Sequence, residues 1–176
     1  MASTTWALDP THSEIQFKVK HMMISTVSGE FTRFDASIET EGDDFSHAKV
    51  TFNADVNSIT TKNEQRDGHL KGEDFFDAGK FPDLRFESTE LQPAGDGQYT
   101  LSGNLTIKGV TRPVTLDVEH AGAIKDPYGN TRAGFEVMGK INRKDFGLTW
   151  HQLTETGGLI VSDEVRLFAN VEFVKQ

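Results

Sequence analysis

The chain alternates apolar and polar residues with a period of two over most of its length. Ile15, Phe17 and Val19 are apolar, while Glu14, Gln16, Lys18 and Lys20 between them are polar, the signature of a strand buried on one face. The pattern returns at Val50, Phe52, Ala54 and Val56, at Leu84 and Phe86, and at Tyr99, Leu101, Gly103, Leu105 and Ile107. It continues at Val114, Leu116 and Val118, at Phe135, Val137, Gly139 and Ile141, and at Val165, Leu167, Ala169, Val171 and Phe173. Between Thr26 and Glu39 the parity slips, because Phe31 and Phe34 stand three apart. A bulge near Thr32 and Arg33 would return both rings to one face, and Ala36 and Ile38 extend that face. Gly, Asp and Pro clusters separate the runs. About eight long strands with short connections predict an all-β, antiparallel eight-stranded barrel, since closure removes exposed edges.

One segment departs from this period. Thr61 and Glu64 have the spacing of a capping box, and Gly72 is placed to end a short helix. Residues 61–81 therefore read as a helical excursion between strands, covering one end of the barrel within a single domain spanning 1–176. An eight-stranded barrel is either filled by its side chains or just wide enough for one slender guest. Small residues on the inward parity (Ala36, Ala54, Gly103, Ala133, Gly139, Ala169) suit both readings: they fit the taper of a filled barrel or border a tunnel. A tunnel that covers about ten methylene groups at ~0.8 kcal/mol each would gain about 8 kcal/mol before ordering costs.

Composition narrows the chemistry. Of 176 residues, 18 are basic and 27 acidic, a net charge of −9, which disfavours nucleic acid and a charge-held membrane surface. Without cysteine there are no disulfides, thiolate catalysis or Cys-ligated zinc. No apolar run is long enough for a membrane-spanning helix, so stable membrane insertion is not expected. The N-terminus has no signal-peptide pattern, so the expected location is cytoplasmic, or periplasmic if a signal peptide has been removed. The six histidines show no metal-ligand spacing, and neither a nucleophile elbow nor a phosphate loop occurs. His21 and His120 fall on the inward parity at strand ends, as rim histidines or headgroup contacts. Arg66, His69, Phe75, Phe76 and Trp150 are candidates for a mouth. No catalytic residue, metal or cofactor is expected.

Several stretches carry a family likeness. They are residues 6–21 (WALDPTHSEIQFKVKH), 27–34 (VSGEFTRF), 66–77 (RDGHLKGEDFFD) with 81–86 (FPDLRF), 105–114 (LTIKGVTRPV) and 141–150 (INRKDFGLTW). In these the chain resembles the YceI-like proteins, a lipocalin-like, polyisoprenoid-binding family. The resemblance implies an extended eight-stranded barrel holding a long amphiphile, such as a polyprenyl phosphate or a quinone precursor; some relatives hold fatty-acid-like ligands. It tips the balance between filled and hollow barrels toward the tunnel. The expectation is a non-enzymatic lipid carrier or reservoir, with homodimer formation left open. Its rivals are a barrel enzyme using an inward histidine as acid or base, and an interaction protein whose cavity is incidental.

Overall fold

Residues 3–150 and 161–176 are described by the computed structural model. Eleven strands follow the alternating runs: β1 (Ser3–Leu8), β2 (Glu14–His21), β3 (Ser25–Phe31), β4 (Phe34–Glu41), β5 (Asp44–Asp55), β6 (Ile59–Thr60), β7 (Asp83–Gly95), β8 (Gln98–Ile107), β9 (Val110–Lys125), β10 (Thr131–Asn142) and β11 (Val161–Lys175). One helix, α1 (Glu64–Lys71), lies between β6 and β7. All pairings are antiparallel, in the order β1-β4-β5-β7-β8-β9-β10-β11, and β1 returns to β11 to close the ring. The closing register places Trp6 opposite Lys175 and Leu8 opposite Phe173.

The eleven segments make eight staves, as expected. β1 with β2, β3 with β4 and β5 with β6 each form one long strand interrupted once. The interruptions lie side by side: a 3-10 turn at Pro10–His12, the break at Thr32 and Arg33, and a 3-10 turn at Val56–Ser58. Polar groups cross-link them. Thr32 N–H donates to the Ser58 carbonyl (3.1 Å), Asp55 N–H to the Arg33 carbonyl (2.9 Å), and Ser58 Oγ to the Asp55 carbonyl (2.6 Å). Ser13 Oγ donates to the Asp9 carbonyl (2.8 Å) and accepts from Glu172 N–H (3.0 Å), tying the first interruption to β11. These bonds replace part of the regular ladder where the three adjacent staves bend.

The same crease carries the main charge network. Arg132 donates from Nε to Asp126 (2.7 Å) and from Nη1 to Asp9 and Glu172 (2.8 Å each). His12 Nδ1 lies 2.8 Å from Asp9 Oδ2. Bonds from Thr11, His12 and Arg132 hold the Asp9 carboxyl far below the usual carboxylate range, and Asp9 in turn raises His12.

The helical excursion forms where it was expected, with a different start. Asn63, not Thr61, caps α1: its Oδ1 accepts from Arg66 N–H (3.0 Å). Thr61 instead gives its N–H to Asp67 Oδ1 (2.8 Å) and accepts from Arg66 Nε (2.8 Å). Gly72 ends the helix as read. Phe75, 7% exposed, and Phe76 follow, and the Phe76 ring meets Phe31 edge-on at 6.2 Å.

At the same end a 3-10 turn, Arg143–Phe146, is fixed by a buried cation. Arg143 is 3% exposed. It donates to the carbonyls of Leu148 (2.6 Å), Trp150 (2.7 Å), Ser162 (3.0 Å) and Val161 (3.4 Å). It thereby holds both flanks of the β10–β11 connection. Burial lowers its pKa, while Asp163, 3.6 Å away, works the other way.

Candidate functional site

The inward faces enclose a cavity of about 180 Å³. That is of the order of the ~150 Å³ apolar void that holds a benzene-sized guest, and below the ~300–1,000 Å³ of most ligand pockets. Of the 26 residues lining it, Gln16 alone is polar. Such a surface offers a ligand dispersion and apolar burial but almost no hydrogen bonding. A charged headgroup buried there would be left unpaired, at a cost of several kcal/mol.

Most inward residues read from the sequence line this space. β2 and β3 contribute Ile15, Phe17 and Phe31; β4 and β5 contribute Ala36, Ile38, Val50 and Phe52. Phe86, Leu101, Leu105, Leu116 and Val118 come from β7 to β9, and Phe135, Val137, Leu167, Ala169 and Val171 from β10 and β11. Gln16 and Phe168 touch the same space from the other parity; they stand opposite each other across β2 and β11, so the cavity meets the wall there.

Six proposed interior residues do not line it. Val19, between Val27 and Val165, and His21, between Ser25 and Val161, sit toward the β2–β3 turn. Phe34 packs beside Phe52, ring centroids 6.4 Å apart. Ala54 is fully buried between Phe34 and Leu84 on the neighbouring strands. Gly103 is small because a neighbour uses its room: a Cβ there would stand 2.5 Å from both the Glu87 carbonyl oxygen and the Phe86 ring. The same holds at Gly139, where Leu116 Cδ2 fills the space. Small inward residues thus divide. Ala36 and Ala169 border the cavity, Gly103 and Gly139 seat adjacent side chains, as in a filled taper, and Ala54 and Ala133 are buried without lining it.

His120 is placed beside the site rather than in it. It ends the inward run of β9, stacked on Phe135 (4.8 Å, 18°) and edge-on to Phe45 (5.2 Å), two rings that line the cavity. Its Nε2 is buried with no hydrogen-bond partner. Among the described residues, neither His21 nor His120 forms an ion pair with a carboxylate within 4.0 Å. Asp9, His12 and Glu172 come close enough to hold a cation, but Arg132 already fills the centre of that group.

The proposed mouth residues form a separate cap. His69 Nε2 bonds Asp74 (2.9 Å), and its ring meets Phe75 and Trp150 at about 5 Å. Arg66 is committed to Thr61, through its Oγ1 and its carbonyl. None of Arg66, His69, Phe75, Phe76 or Trp150 lines the cavity; Phe76 is connected to it through Phe31.

Sequence reading missed Phe45 and Leu91. Both lie beyond slips in the alternation. His47 (φ 64°) separates Phe45 from Ala48 and Val50, and a register shift between Ser88 and Glu90 separates Leu91 from Phe86. A bulge reverses parity on its far side, so a strict period-two scan loses the next inward residue.

Comparison with known proteins agrees with this architecture. A Staphylococcus aureus (strain N315) protein, UPF0312 protein SA2479, is 40% identical over 171 residues, 97% of each chain. Burkholderia cenocepacia BcnA superposes with a TM-score of 0.82 at 26% identity, covering 94% of this chain and 98% of its own. A polyisoprenoid binding domain from Saccharophagus degradans shares the fold at a TM-score of 0.72 and 17% identity, covering 97% and 98%. The YceI-like domain profile matches residues 6–173, and with it the closed barrel and its apolar interior identify the chain as a member of the YceI-like family.

Proposed function

We propose that the protein binds a single slender isoprenoid chain in the barrel, as a non-catalytic carrier or reservoir. The observation that carries this is the barrel cavity of about 180 Å³, in which all lining residues except Gln16 are apolar. Kinship with the YceI-like family supports the reading, as does a structural relative named for polyisoprenoid binding. With Gln16 the one polar side chain in the lining, a phosphate or quinone head would find its partners outside the apolar section. A guest longer than the existing space would make room by rotating flexible lining side chains, at a cost against the ~0.8 kcal/mol gained per buried methylene.

The test is organic extraction of the purified protein followed by mass spectrometry, with uptake of a fluorescent prenyl probe by the emptied protein. A prenyl lipid in the extract and saturable uptake are expected. Ala169→Phe, which projects a ring into the cavity, should abolish uptake while the far-ultraviolet circular dichroism stays unchanged. A lipid-free protein that takes up no probe would refute the proposal, and a fatty acid in the extract would change the cargo class. Ala54→Trp does not serve as a block, since Ala54 faces packed neighbours and a ring there would strain the barrel wall.

A further inference from the structure

The β2–β3 hairpin turns on three apolar side chains that face water. Met22, Met23 and Ile24 are 39%, 61% and 81% exposed. The backbone is also unusual: Met22 and Met23 have φ of 51° and 61°, a region that tight hairpins normally fill with Gly, Asn or Asp. The residues at this turn suit neither solvent nor the turn itself. A local conflict of that kind marks a position kept for an interaction.

The charge around the turn points to the partner. Residues 15–29 contain Lys18 and Lys20 and no carboxylate, in a chain with net charge −9. The carboxylates at the start of β11 are already engaged: Asp163 with Arg143 and Lys144, Glu164 with Lys140 and Arg166. β11 runs from this end, where Val161 pairs with His21, to the other, where Lys175 bonds Asp43. At that far end the β4–β5 turn carries Glu39, Glu41, Asp43 and Asp44. The acidic β4–β5 turn therefore lies at the end of the barrel opposite the exposed apolar turn.

We propose that this hairpin docks the protein on an anionic lipid surface. Met23 and Ile24 enter the headgroup region, and Lys18 and Lys20 meet the lipid phosphates. Apolar insertion combined with basic residues near the surface is the usual requirement for reversible membrane attachment. A second copy of the chain is the alternative occupant; two copies meeting hairpin to hairpin would bring Lys18 and Lys20 of each against those of the other, so the basic flanks argue for lipid.

Flotation with phosphatidylserine–phosphatidylcholine vesicles tests this on the full chain. The wild type is expected to float with these vesicles and weakly with pure phosphatidylcholine. Met23→Ser with Ile24→Ser, and separately Lys18→Gln with Lys20→Gln, should each reduce binding about tenfold or more. Ile124→Ser, an equally exposed apolar site on β9, should change nothing. Thermal melts establish that each variant is folded. A wild type that does not float, or hairpin variants that float as well as it does, would overturn the proposal. So would sedimentation velocity showing that the hairpin variants lose only self-association. Cargo extraction is read without vesicles, so failure here and failure of the carrier reading are told apart.

Discussion

Replacing Arg143 by Met keeps the length of the side chain and removes every donor. Three strong bonds from the guanidinium, to the carbonyls of Leu148, Trp150 and Ser162, disappear together, and the longer one to Val161 goes with them. Charge-assisted bonds contribute roughly 1.5–3 kcal/mol each, which sets a gross loss of about 4–9 kcal/mol. Two effects reduce it: the buried cation is itself costly to desolvate, and some carbonyls will recover water. One effect opposes the reduction, because Asp163 loses a cation 3.6 Å away while its Oδ1 is buried without a hydrogen bond. The net expectation is about 4 kcal/mol. In a domain of this size that lowers Tm by roughly 8–16 °C. Urea denaturation and thermal melts followed by circular dichroism measure it. Arg143→Lys should recover less than half, since an ammonium cannot span carbonyls on both flanks of the connection. Arg166→Met, an exposed control on β11, should stay within about 0.5 kcal/mol. A loss below about 1 kcal/mol for Arg143→Met would refute the view that this cation holds the connection in place.

Gly103→Ala should cost about 2 kcal/mol or more by chemical denaturation, because its Cβ would meet backbone oxygen as well as a ring; a neutral result would mean the wall is softer than its geometry indicates. Gly139→Ala should cost less than about 1 kcal/mol, since only the Leu116 side chain must move and Leu116 borders free space. The pH response of the crease has a defined sign. His12, raised by Asp9, contributes stability below its ordinary value of 6.5 that fades as pH rises through its folded value, so His12→Gln should flatten the alkaline fall in Tm between that value and the folded one. Asp9, depressed by Thr11, His12 and Arg132, contributes stability above its ordinary value of 3.8 that is lost on acidification, and Asp9→Asn should remove that acid-side loss. Unchanged Tm–pH curves for both variants would contradict the assignment.

The staves were legible because each buries one face, and period two records that directly. Ile15, Phe17, Leu101, Leu105, Leu167 and Ala169 are placed by parity alone. Parity cannot say whether a small residue borders space or seats a neighbour. Ala169 and Gly103 look alike along the chain, and the Phe86 ring and Glu87 carbonyl crowding Gly103 separate them. It also fails across bulges, which hid Phe45 and Leu91. Arg143 lies within a family motif that gives it no structural role, since its partners are backbone carbonyls, two of which, Val161 and Ser162, become neighbours only when β10 and β11 pair. At Thr61 and Asn63 two polar residues compete for one cap, and the position of Asp67, which takes the Thr61 amide, decides between them.

The joining of β1 to β11 carries a kinetic consequence. Trp6 waits for a partner that emerges some 170 residues later, so the ring cannot be completed during most of synthesis. Closure of so long a loop adds little entropy per extra residue, yet contacts this distant in sequence slow the search for the native topology. Until the last stave arrives, the growing sheet keeps an open edge on either side, each a template for another chain. The barrel that leaves no edge when complete is therefore most exposed to aggregation in the interval just before its final strand is supplied.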